Sequence, residues 1–249
     1  MKTNVYKEAR ISVYILALIL VATLLFYIFA SMFTSVGYRG LRESKAINTE
    51  IPCDDFTFVF DAGHGGEDPG AVDNGLLEKD LNLCIAKLLN GLFLSNGFQT
   101  AMTRTDDVLL YNIGEENRKK HYDLLNRKRF TEKIENAIFV SIHMNKFPAE
   151  YCRGMQIFYS KNHTFSKTIA DSIQSSAQLL QDENRRTVKC GNDSIYLLKQ
   201  LEVPAVLIEC GFLSNESEAR LLSDTEYQKA LAITIYCGIV ESLEKVNEN

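Results

Sequence analysis

No two of the six cysteines (Cys53, Cys84, Cys152, Cys190, Cys210, Cys237) stand at CxxC spacing, so a cysteine metal site is not expected. Several fall at positions expected to be core, where free cysteine behaves as a small hydrophobe. An excess of basic residues is also missing. The formal net charge is −5, and residues 1–45 hold six Lys/Arg against two Glu, so the remaining chain carries −9. An acidic body lacks the basic face that nucleic-acid binding needs, which excludes that class of partner. There is no internal repeat, no low-complexity tract, and no linker after residue 53 long enough to separate a second domain. Histidine is scarce too, at four residues, so candidate imidazole ligands are few.

What is present begins with a run of 23 uncharged residues, 11–33. As a helix it would span roughly 34 Å, enough for a hydrocarbon core. Lys2, Lys7 and Arg10 precede it, so the positive-inside bias places residues 1–10 in the cytoplasm and the rest outside. The run exceeds the hydrophobic region of a cleaved signal peptide, so a retained anchor is expected, with secretion after cleavage as the alternative. Residues 34–53 are polar and unpatterned and read as a linker. Residues 54–249 are expected to form the functional domain.

Within that domain, strand and helix patterns alternate. Phe56–Phe60, Phe98–Met102, Ala137–His143, Met155–Tyr159 and Val203–Ile208 are short apolar runs that predict buried strands, and Ile195–Leu198 predicts a further short one. Apolar residues at helical spacing from Leu81 to Leu92 predict a helix closed by Asn96-Gly97. Further helices are expected at 121–135, 163–181 and 226–246. Near-continuous apolar strands between amphipathic helices predict a single three-layer α/β domain with a mostly parallel twisted sheet covered on both faces.

The loop after the first strand reads FDAGHGGEDPGAVDNGLLEKD, from Phe60 to Asp80. No lysine follows its glycines, and Asp68 stands where a dinucleotide loop needs a third glycine, so neither phosphate motif fits. Glu67 and Asp68 would repel a phosphate. A metal fits better. His64 lies just past one strand and His143 ends another, and ligands gather at strand carboxyl ends in open parallel sheets. Glu78, opening the next helix, can return a carboxylate to that edge. The plainer alternatives stay open at this point: a hydrogen-bonded turn histidine, or an acid favoured by the helix dipole. Glu209 follows the apolar strand VPAVLI, where a carboxylate must be paired, ligated or functional. There it could serve as general base and acid, or else form a structural ion pair or helix cap. His121 and His163 lie in polar segments and read as surface residues.

DAGHGGEDPGA, GLLEKDLNL, FVSIHMN and PAVLIECGFLSN with EARLL, in that order, resemble the zinc-dependent N-acetylmuramoyl-L-alanine amidases of the amidase-3 type. The resemblance spans roughly residues 56–243 and is greatest to the germination-specific, spore-cortex branch. It implies one zinc ion per chain held by His64, Glu78 and His143, with Glu209 as the catalytic residue. It further implies hydrolysis of the amide between N-acetylmuramic acid and L-alanine in peptidoglycan, in cortex formation by the muramic-lactam route and hence germination. Ala62 and Met144 replace residues usual in the family, without removing a ligand. Peptidoglycan and the membrane are the expected partners, and an accessory regulatory protein is left open. The alternative is a catalytically silent peptidoglycan-binding protein of the same fold.

Overall fold

The first apolar run becomes strand β1 (Thr57–Ala62), and the computed structural model of the chain describes residues 56–247. A small hairpin follows, β2 (Val72–Asp73) and β3 (Leu76–Leu77), opening directly into helix α1 (Glu78–Ser95). Asn74 and Gly75 make its turn with φ of 48° and 75°, the paired left-handed residues that suit a two-residue hairpin. Next come β4 (Gln99–Met102), α2 (Lys119–Glu132), β5 (Ala137–Asn145) and β6 (Gln156–Tyr159). The chain continues through α3 (Phe165–Leu180), β7 (Lys189–Cys190), α4 (Tyr196–Gln200), β8 (Ala205–Phe212), α5 (Glu216–Ser223) and α6 (Thr225–Asn247).

Six strands form one sheet in the order β4-β1-β5-β8-β6-β7. The first four are parallel, and β6 and β7 run together in the opposite direction. Successive strand residues face opposite layers. Phe58, Phe60, Val140 and Ile208 pack with Ile85, Leu89 and Phe93 of α1 and with Ile173 and Ile235 of α3 and α6. Val59, Phe139 and Leu207 face the other way, against Leu124 of α2 and Leu197 and Leu198 of α4. Each fully buried side chain of this kind contributes about 1.5–3 kcal/mol. The expected three-layer architecture is therefore present.

Connectivity places the site. From β1 the chain crosses to β4 on one side, then returns over to β5 on the other. The carboxyl ends of β1 and β5 therefore flank a topological switch point, where open α/β sheets form a crevice.

Two expectations need correction. Ile195–Leu198 is not a strand; Tyr196–Gln200 is a helical turn, with Lys199 N donating to the Ile195 carbonyl. Gly191 lacks the Cβ that would otherwise lie 2.5 Å from Leu198 and 3.0 Å from Ile195, so the segment coils onto it. Among the described cysteines only Cys210 is buried; Cys84 and Cys152 are half-buried, and Cys190 and Cys237 are exposed. The anchor at 11–33 and the linker at 34–53 lie outside the described residues. Among the described residues no helix is long and apolar enough to cross a membrane.

Candidate metal centre

His64 follows β1 by two residues, with its backbone in the left-handed region at φ 61°. That conformation is uncommon without glycine, and here Arg127 Nη2 secures it by donating to the His64 carbonyl at 2.7 Å. Gly63 N donates to the Ile142 carbonyl at 3.1 Å, carrying the β1–β5 ladder one step past the strand. A Cβ on Gly63 would lie 2.2 Å from the His143 ring, so only glycine leaves space for that imidazole.

Glu78 opens α1 and is 4% exposed. Its Oε1 lies 2.8 Å from His143 Nδ1 and 3.2 Å from His64 Nε2, and accepts from Met144 N at 3.1 Å. Oε2 accepts from Ala71 N at 2.7 Å. Among the described residues the ion-pair partners of Glu78 are the two imidazoles alone. Burial would raise its pKa, but the hydrogen bonds from His143 and His64 outweigh burial and hold the carboxyl well below its ordinary range. The His64 pKa is raised, since Glu78 and Asp68 together overcome burial of the ring. Donor atoms of His64, Glu78 and His143 all lie within 4.8 Å of one another. At Gly70 a Cβ would meet Glu78 Oε2 at 2.5 Å and the His64 ring at 2.7 Å, so a second glycine keeps this space open. Two imidazoles and an ionised carboxylate around such a space fit a zinc-type ion.

Glu209 sits in register with His143 on the neighbouring strand β8. The pairing slips between His143/Asn145 and Glu209/Phe212, a bulge of the sort that re-aims side chains beside active sites. Its Oε2 is buried, with no hydrogen-bond partner among the described residues. Burial pushes the carboxyl up to about 7; His143 and His64 oppose the shift and the Glu78 charge adds to it. A half-buried acid poised near neutrality can both take and return a proton. A cleft of about 240 Å³ is lined by His64 and His143 together with Leu124, Leu197 and Lys120.

All four expected site residues thus come together, while His121 and His163 are exposed and outside the cluster. Residues 58–241 match the family model Amidase_3, described as N-acetylmuramoyl-L-alanine amidase. The chain belongs to this amidase family. Among curated relatives, the germination-specific N-acetylmuramoyl-L-alanine amidase of Bacillus subtilis (strain 168) is 35% identical over 192 residues, covering 76% of this chain and 81% of that protein. Among solved structures, the CwlD amidase from Clostridioides difficile, in complex with the GerS lipoprotein, is 42% identical. It has a TM-score of 0.73 and covers 76% of this chain and 98% of that one. The catalytic domain of CwlV from Bacillus (Paenibacillus) polymyxa is 29% identical with a TM-score of 0.65, covering 76% and 98%.

Around the amidase cluster lies a polar frame that the sequence reading missed. Asp61, at the buried end of β1, accepts from Arg127 Nη1 at 2.6 Å, Thr103 Oγ1 at 2.7 Å and Ser141 Oγ at 2.6 Å. Arg127 Nε also donates to Asp123 Oδ2 at 2.9 Å. Arg104 donates to the carbonyls of Ala62 and Gly63, and Asn82 Nδ2 to that of Gly63 at 3.0 Å. Asp61 obeys the rule that drew attention to Glu209, a charge at the exit of an apolar strand, and that signal could have found it.

Proposed function

We propose that this amidase is zinc-dependent, that His64, Glu78 and His143 hold the ion, and that Glu209 is its catalytic acid–base. When bound, zinc would supply Lewis acidity, polarising the lactyl carbonyl of the muramyl group and acidifying a water. Glu209 accepts the proton of the attacking water and then delivers it to the departing alanine amine, so the amide opens to a lactyl acid and a free peptide amine. The observation that carries this reading is the buried, unpartnered Glu209 oxygen beside three convergent donors. Glu209→Ala is expected to keep zinc stoichiometry near one per chain while losing at least ~10²-fold in amine release from purified peptidoglycan. Unchanged turnover in that variant, or full wild-type activity after exhaustive chelation, would overturn the assignment.

The relatives support a reading of the physiological setting. Because one is germination-specific and another is a CwlD amidase in complex with a lipoprotein, we assign this chain to spore-cortex processing, with an accessory protein of that kind as partner. The apolar run 11–33 would tether it with the catalytic body outside the cytoplasmic membrane. Mass analysis of muropeptides from cortex and from vegetative wall, after incubation with the protein, separates these substrates. Cleavage of vegetative wall alone would contradict the cortex role.

A further inference from the structure

We propose that Asp68 is a positioning residue: it fixes the His64 ring so that Nε2 is presented to the metal, an inference that rests on the zinc reading above. The two nitrogens of His64 face different carboxylates. Nε2 is 3.2 Å from Glu78 Oε1, inside the cluster, while Nδ1 is 2.8 Å from Asp68 Oδ2 on the other side of the ring. Asp68 is therefore placed as an acceptor for Nδ1–H and not as a fourth ligand. A neutral imidazole carries one ring proton, and holding it on Nδ1 leaves the Nε2 lone pair free for the ion.

The loop is built to return Asp68 to this position. Gly65 N donates to the Asp68 carbonyl and Asp68 N to the Gly65 carbonyl, both at 3.0 Å, closing the turn around His64. Gly65 can sit there because it lacks a Cβ, which would lie 2.2 Å from the Val108 carbonyl. The other carboxylate oxygen, Oδ1, is 2.9 Å from Lys120 Nζ and accepts from Gly70 N at 3.4 Å. Lys120 comes from α2, the helix that supplies Arg127 to the His64 carbonyl. Backbone and ring of His64 are thus both secured, and removing such an outer carboxylate typically weakens metal binding 10–100-fold.

A purely structural role, tying the loop to α2 through Lys120, makes a different prediction, and three variants of the full chain separate the two. Zinc affinity is read by chelator competition, and the ring proton by histidine-selective ¹⁵N NMR of the metal-free protein at a pH high enough that the His64 ring is neutral. Asp68→Ala is expected to bind zinc about 10–100-fold more weakly and to lose the Nδ1–H form of His64. Asp68→Asn, which keeps an acceptor oxygen, should retain that form and recover most of the affinity. Lys120→Met should stay within about threefold of wild type. Should Asp68→Ala not fold, Asp68→Leu takes its place with the same thresholds. Wild-type zinc affinity and tautomer without the acceptor would overturn the inference, as would equal weakening in Asp68→Ala and Lys120→Met. A wild-type chain that takes up no zinc instead defeats the zinc reading itself, and the inference with it.

Discussion

A buried carboxylate oxygen without a partner destabilises the folded chain whenever the group is ionised, and Glu209 Oε2 is such an atom. Its folded-state pKa is raised from 4.5 to about 7 by burial. Below about pH 4.5 the group is protonated in folded and unfolded chains alike, and no penalty exists. Between about 4.5 and 7 the unfolded chain gives up the proton first, so stability falls as pH rises; above about 7 the penalty is complete. Glu209→Gln keeps the shape without the charge. In excess chelator it should exceed wild type by on the order of 2–3 kcal/mol near pH ~8 and match it near pH ~4. Urea unfolding at the two pH values checks this, and a gap that does not change with pH would mean the oxygen is solvated. Glu209 and His143 were legible because each places a polar group at the exit of an apolar run. Arg127 was not: it lies in KKHYDLLNRKRF, which reads as a solvated charged helix. It is buried at 1% exposure only because Asp61 of β1 and Asp123 meet it there. That pairing is tertiary, and no local pattern encodes it.

At the level of elements, the central strands were readable because both sheet faces are covered, leaving β1, β5 and β8 with continuous apolar runs. Ile195–Leu198 looked similar but is too short for periodicity to separate strand from helix. The reversal of β6 was not written in any local pattern, since its partner β8 is distant in sequence. The Asn74-Gly75 dipeptide is itself a hairpin signal, and β2 and β3 pair around it. Helix packing gives a sharper test, because two helical glycines should respond oppositely to the same substitution. At Gly238 in α6 a Cβ would lie 2.5 Å from Ile173 Cα and 2.8 Å from Ile173 N, backbone atoms of α3 that cannot rotate aside. At Gly91 in α1 a Cβ would meet nothing within 4 Å among the described residues. Gly238→Ala is expected to destabilise by about 1–3 kcal/mol although alanine favours helix. Gly91→Ala should stabilise by about 0.5–1 kcal/mol. Denaturant unfolding of both decides the matter; a stabilised Gly238→Ala would show that α3 and α6 separate without loss.

For the whole molecule, charge decides how membrane attachment can be tested. Residues 46–249 carry a formal −9, so the catalytic body has no electrostatic reason to bind an anionic bilayer. Peripheral binding through the body would be weak and would disappear with screening by salt. The uncharged run 11–33, preceded by Lys2, Lys7 and Arg10, is of a different kind, since burying 23 mostly apolar residues in lipid is insensitive to salt. The full chain should therefore sediment with membranes and stay there through high-salt and alkaline washes. A chain lacking residues 1–33 should remain in the soluble fraction with its amidase activity intact. Under the proposed topology, with residues 1–10 on the cytoplasmic side, protease added outside intact protoplasts should remove the catalytic body. Release of the full-length chain by salt alone would contradict the anchor. A shorter soluble product whose new N-terminus falls after residue 33 would instead establish cleavage and secretion.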